Sequence, residues 1–213
     1  MKKKILIIIA VICMIGAGVG FYLYRTQRNV SVGLNTNIKD ENGKKGNTSL
    51  DSSKVLIVYF SHGGNTQKLA KEVYDQVGGD FRRIEPVKAY PKGNKLYDYT
   101  KEEQEKDGRP EFKDLDIDIN QYDTIFIGYP IWWYTYPQII LSFFDEYDLS
   151  NKTIVPFVTH GGSGMSGTEE DMKDYLKDKN VTVKEGLAVS RTDIEKDQKA
   201  TVESWLKELG YIK

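Results

Sequence analysis

The sequence predicts an α/β domain, an open parallel sheet with helices on both faces. Three observations carry this. Short apolar runs rich in β-branched and aromatic residues alternate with longer amphipathic segments, the βαβ pattern. The strongest runs, Val55–Phe60 and Thr124–Tyr129, are apolar almost throughout, as strands buried on both faces are. The first run also stops at a short polar loop, Ser61-His62-Gly63-Gly64-Asn65-Thr66, and a helical pattern starts at once.

Five strands are expected: Val55–Phe60, about Asp80–Val87, Thr124–Tyr129, Thr153–Thr159 and about Val183–Val189. The second alternates in part, as an edge strand does. The spacing predicts a helix over Asn65–Val77, with Leu69, Ala70, Val73, Tyr74 and Val77 on one face. A charged helix near Leu96–Lys106 follows the second strand. Pro137–Tyr147 presents Ile139, Ile140, Phe143 and Phe144, and Thr168–Lys177 presents Met172, Tyr175 and Leu176. The last helix, Asp193–Leu209, presents Ile194, Val202, Trp205, Leu206 and Leu209. Ser166 with Glu169 and Thr192 with Glu195 have capping-box spacing at two helix starts.

Ahead of this domain, Ile5 to Tyr24 is a run of apolar or small residues without charge, long enough to span a bilayer. A cleaved signal peptide is the competing reading, although the run exceeds the usual apolar core of such signals. Lys2, Lys3 and Lys4 favour a cytoplasmic N-terminus, which puts the domain on the extracytoplasmic side, or secretes it after cleavage. Residues 25–53 are rich in Asn, Ser, Thr, Lys and Gly and read as a flexible tether, so the domain is expected over 54–213. Cys13, the single cysteine, lies in the apolar run, so the domain has no thiol for a disulfide, a metal or a nucleophile.

Residues 1–50 hold eight of the 30 Lys and Arg residues and two of the 31 Asp and Glu residues. That leaves 22 basic and 29 acidic residues in the rest, a net −7. A mildly acidic domain speaks against a nucleic-acid partner and suits a basic protein partner.

In an open parallel sheet, ligands bind at the carboxyl ends of the strands. With strands one, three and four central, three loops meet there. Ser61–Thr66 is a strand–glycine loop–helix start, the geometry that holds a phosphate: backbone N–H groups and the helix dipole face the anion, and hydroxyls of Ser61 and Thr66 can add bonds. It is neither a Walker loop nor the dinucleotide glycine fingerprint. Tyr129–Pro137 holds five aromatics, more than a core needs; offset stacking on a planar ligand would use Trp132 or Trp133. His160-Gly161-Gly162-Ser163-Gly164 exposes backbone groups that can pair with the polar edge of a heterocycle. His62 and His160 lack a third ligand for a metal, and Ser163 is not in a nucleophile-elbow motif. His62 could bring positive charge to a phosphate.

The segments VYFSHGGNTQKLA, YDTIFIGYPIWWYTYPQ and PFVTHGGSGMSGT resemble the flavodoxin-like family, in particular bacterial flavodoxins and flavin-dependent quinone reductases. The likeness spans about residues 54–210. It implies a five-stranded parallel sheet in the order 2-1-3-4-5 and an FMN cofactor. The FMN phosphate would lie on Ser61, His62, Gly63, Gly64, Asn65 and Thr66. The isoalloxazine would lie against Pro130, Ile131, Trp132, Trp133 and Tyr134 and against His160, Gly161, Gly162, Ser163 and Gly164. Typical flavodoxins carry a third hydroxyl where this chain has Gly63; either phosphate binding is weaker, or backbone groups and His62 take its place. The resemblance leaves two functions: electron transfer between redox protein partners, or reduction of a small quinone-like acceptor by NAD(P)H. A net negative site would oppose added negative charge on the flavin and lower its potential, which suits an electron carrier.

Overall fold

The strand β1 (Val55–Tyr59) sits at the heart of the sheet because all five of its residues are apolar and buried. It pairs in parallel with β2 (Asp80–Arg83) on one side and β3 (Thr124–Pro130) on the other. β3 pairs in parallel with β4 (Thr153–His160). Two short strands, β5 (Thr182–Val183) and β6 (Leu187–Ser190), share the far side of β4. The order is β2-β1-β3-β4-β5, as the sequence led us to expect. The computed structural model describes residues 49–213. The expected membrane segment at 5–24, Cys13 and residues 25–48 of the expected tether lie outside the described residues. Among the described residues, no helix is long and apolar enough to cross a membrane.

The side-chain alternation of the strands builds two cores. On one face Leu56, Val58, Ile125, Ile127, Ile154 and Val158 meet α3 (Gln138–Glu146) and α4 (Thr168–Tyr175), through Ile139, Ile140, Phe143, Phe144 and Met172. On the other, Val55, Ile57, Phe126, Val155 and Phe157 meet α1 (Asn65–Val77) and α5 (Lys199–Glu208), through Leu69, Val73, Val77, Val202 and Leu206. Each such fully buried aliphatic side chain contributes about 1.5–3 kcal/mol. α2 (Lys95–Glu105) lies along the cleft described below and buries little of itself.

Four expectations are corrected. The fifth strand, expected to be continuous, is split. In a parallel ladder successive residues face alternate neighbours. Lys184 N–H donates to Ile154 O at 2.9 Å, so the next β4 residue facing that side is Pro156, which has no N–H. The ladder lapses there. Gly186 fills the gap: a Cβ on it would stand 2.9 Å from Pro156 O, and its N–H donates to Glu169 Oε1 at 2.6 Å. The second strand ends at Arg83 rather than Val87, because Glu85 and Val87 turn away to exchange backbone bonds with Lys113 and Glu111. The last helix starts at Lys199 rather than Asp193; Ser190, Thr192 and Asp193 bond one another in a side-chain-held turn instead. Neither capping box forms. Glu169 is taken by Gly186, and Glu195 by Lys68 Nζ at 2.7 Å, so tertiary partners outcompete the local cap.

Candidate cofactor site

The loops after β1, β3, β4 and β6 converge on one cleft of about 580 Å³, within the range of small-molecule sites. From the first loop Ser61, His62, Gly63, Asn65 and Thr66 line it; from the second, Pro130, Ile131, Trp132, Trp133 and Tyr134; from the third, His160, Gly161, Gly162 and Ser163. Gly64 and Gly164, two residues expected in the site, are not on its wall. Gly64 instead serves as the N-cap of α1, at a φ of 93°, where a side chain would strain the backbone.

The first loop is fastened from below. Ser61 is buried, its Oγ accepts from Gly64 N–H at 3.1 Å, and its carbonyl accepts from Arg83 Nη2 at 2.8 Å. Gly64 offers no side-chain cap. The N–H groups of Asn65, Thr66 and Gln67 precede the first intrahelical bond, Lys68 N–H to Gly64 O, and have no acceptor among the described residues. Thr66 is buried, and its hydroxyl lies 2.8 Å from that of Thr159 on β4. The phosphate loop is therefore sewn to the strand that carries the third loop. His62 sits edge-on to Tyr90 and Trp132. Burial, and next Lys92, hold its imidazole below the ordinary histidine value, so it is uncharged at neutral pH. Both effects work against the positive charge the sequence suggested it could bring.

The second loop is a two-residue turn closed by Trp132 N–H to Thr135 O at 2.9 Å and Thr135 N–H to Trp132 O at 3.0 Å. Its central residues Trp133 and Tyr134 have φ of 51° and 63°. Two bulky residues thus occupy the left-handed positions where Asn-Gly is the norm, a local strain of the kind found at ligand sites. Of the five aromatics, Tyr129 and Tyr136 belong to the core. Trp132 packs against Phe60 and Tyr90 at ring distances of 5.4 and 5.3 Å and forms the cleft wall. Trp133 and Tyr134 are 39% and 77% exposed at the rim. Trp133 Nε1–H donates to Thr100 Oγ1 at 3.0 Å, which ties the turn to α2.

In the third loop, His160 Nδ1 accepts from Gly162 N–H at 2.9 Å. Five lining residues were not among those read from the sequence: Leu96, Tyr97 and Thr100 on α2, Thr159 at the end of β4, and Arg191 after β6. Arg191 gave no signal, because its surroundings read as the approach to a helix. Among the described residues Arg191 is the one Lys, Arg, Asp or Glu on the wall. The acidic balance of the domain as a whole therefore does not extend into the cleft.

The arrangement suits a phosphorylated planar ligand. Unpaired first-turn N–H groups are free to meet an anion, aromatic rings form one wall, and the glycine-rich third loop, joined to the first through Thr66 and Thr159, offers backbone groups. Together, the strand order and this cleft define a flavodoxin-like protein. The chain belongs to the flavodoxin family: the family model described as flavodoxin matches residues 54–208. Two solved structures assigned as flavoproteins, from Bacteroides eggerthii and Bacteroides uniformis, are each 31% identical to it with a TM-score of 0.65. They cover 74% of this chain and 98% and 99% of their own. A flavoprotein from Lactobacillus acidophilus, solved in complex with FMN, shares the fold at 21% identity and a TM-score of 0.56, over 67% of this chain and 97% of its own. No curated protein matches the chain significantly.

Proposed function

We propose that the protein is an FMN-binding electron-transfer protein, with its domain tethered to the membrane by residues 5–24 and lying outside the cytoplasm. FMN is the cofactor. The observation that carries the reading is the single cleft shared by the Ser61–Thr66, Pro130–Tyr134 and His160–Ser163 loops, which offers anion donors, aromatic faces and backbone groups. Such a wall can bind and orient a redox group that carries the chemistry itself. Bound there, FMN supplies one- and two-electron transfer. This chain's residues supply the rest. The first turn of α1 holds the phosphate, Trp132 offers its indole to the ring, and the backbone of Gly161 and Gly162 offers N–H and C=O groups to the ring's polar edge. The exposed rim of Trp133, Tyr134 and Tyr97 leaves a face that a redox protein partner can approach.

A second reading, an NAD(P)H-dependent quinone reductase, draws on the same exposed rim, which leaves space for a small acceptor. The membrane tether rests on the sequence of residues 5–24 alone. The full-length protein, purified in detergent and mixed with FMN, should show shifted flavin absorption bands. The bands should stay oxidised with NADPH in the absence of air and disappear with dithionite. Loss of the bands with NADPH alone would replace electron transfer by the reductase reading, and no shift at all would overturn both. An alkaline-phosphatase fusion at Ser53 should be active in a bacterial host; an inactive fusion would overturn the topology.

A further inference from the structure

We infer that Arg191 is the cationic partner of the cofactor's phosphate and makes the site select a phosphorylated flavin over riboflavin. The inference rests on the FMN reading above. Arg191 lines the same cleft as Ser61, His62, Gly63, Asn65 and Thr66, and among the described residues its guanidinium has no hydrogen bond or ion pair. Its own N–H donates to His160 O at 2.8 Å, and a side chain on Gly161 would stand 3.9 Å from its guanidinium carbon.

Two tethers place this arginine near the start of α1. Thr66, the second residue of that helix, meets Thr159 at 2.8 Å, and Gly161 lies two residues further on, at most about 7 Å along the chain. Lys68, the fourth residue of the helix, pairs with Glu195 at 2.7 Å, four residues after Arg191. The turn that carries Arg191 is thus docked on the first turn of the phosphate-facing helix. Burial and Lys92 work against a charge on His62, the other candidate cation in the first loop, and among the described residues no lysine lines the cleft. A phosphate monoester carries close to two negative charges at neutral pH, more than a helix terminus offsets. An unpaired guanidinium beside it supplies the rest, with a fork that suits phosphate oxygens.

The test compares FMN with riboflavin on the full-length protein, by quenching of flavin fluorescence, for the natural chain, Arg191→Gln and Arg191→Lys. Arg191→Gln should weaken FMN binding roughly tenfold and leave riboflavin binding within about twofold. The salt dependence of FMN binding should flatten, since one ionic contact is gone. Arg191→Lys, which keeps the charge but not the fork, should recover part of the loss. Unchanged FMN affinity in Arg191→Gln, or equal losses for both flavins, would overturn the inference while leaving the FMN reading intact. Failure of the natural chain to bind either flavin would overturn the FMN reading, and this inference with it. Arg191 is exposed, so its replacement is not expected to disturb folding; matching circular dichroism spectra check that.

Discussion

Gly64 and the pair Trp133–Tyr134 all hold positive φ in loops that build one cleft, yet they do so under opposite conditions. In the loop after β1, glycine takes the left-handed position at little cost, and the loop is anchored by Ser61, Arg83 and the buried Thr66–Thr159 pair. In the loop after β3, a tryptophan and a tyrosine take it, both exposed, held by a two-residue turn and one bond to α2. The first loop presents backbone, the second presents rings. A backbone site suits the phosphate, which is chemically the same in every such ligand. A side-chain site under strain can be varied without disturbing the anion end, and this is where partner choice and ring environment can be set.

The largest expected effect comes from the residue that joins the two. Phe60 is buried directly before Ser61 and packs edge-on to Trp132 at 5.4 Å. Phe60→Ala should lose about 3–5 kcal/mol in urea unfolding and weaken FMN binding as well. A variant with unchanged stability would show that the two loops are independent, contrary to the comparison.

A smaller loss isolates the anchor of the first loop. Thr66→Val removes one hydroxyl of the buried pair and leaves Thr159 unpaired, at a cost of about 1–3 kcal/mol. The double variant Thr66→Val with Thr159→Val should recover part of that, because no unsatisfied hydroxyl remains. Strictly additive losses would mean that the bond does not couple the loops.

Gly64 and Tyr134, one left-handed position from each loop, give a pair of opposite signs. Gly64→Ala meets no atom within 4 Å, so its cost is conformational alone, about 1 kcal/mol. Tyr134→Gly relieves the same kind of strain and gives up little packing, so it should stabilise by about 0.5 kcal/mol. Trp133→Gly is not equivalent, since it also loses the bond to Thr100 and the edge contact with Tyr97. A Tyr134→Gly variant that melts earlier would show that the turn is not strained.

What the sequence made legible follows the same division. The buried strands, the α1 boundaries and the glycine loop announce themselves locally, through apolar runs and a strand–loop–helix order. Fourteen of the sixteen expected site residues line the cleft for that reason. The misses arise where a distant partner decides. Pro156 breaks a strand that Val183–Val189 alone would continue; Glu169 and Glu195 leave their local caps for Gly186 and Lys68; Arg191 reaches the cleft only because β6 lies beside β4. None of these is written in the spacing of the segment it affects.

The smallest expected effect concerns His62, which belongs to the first loop by sequence and to the aromatic wall by contact. Its folded-state pKa lies below the ordinary value of 6.5, through burial first and the charge of Lys92 second. As pH falls through 6.5, the unfolded chain takes up the proton before the folded one does, so stability is lost on the acid side and is fully present above that value. Urea midpoints at about pH 7.5 and about pH 5.5 measure this, on either side of the histidine range. His62→Gln should show a smaller acid loss than the natural chain, with the remaining slope set by other groups. If the two proteins lose stability in parallel, His62 is not the group that titrates. The imidazole would then be better hydrated than its contacts with Tyr90 and Trp132 indicate, and its place would be with the anion end of the cleft rather than with the rings.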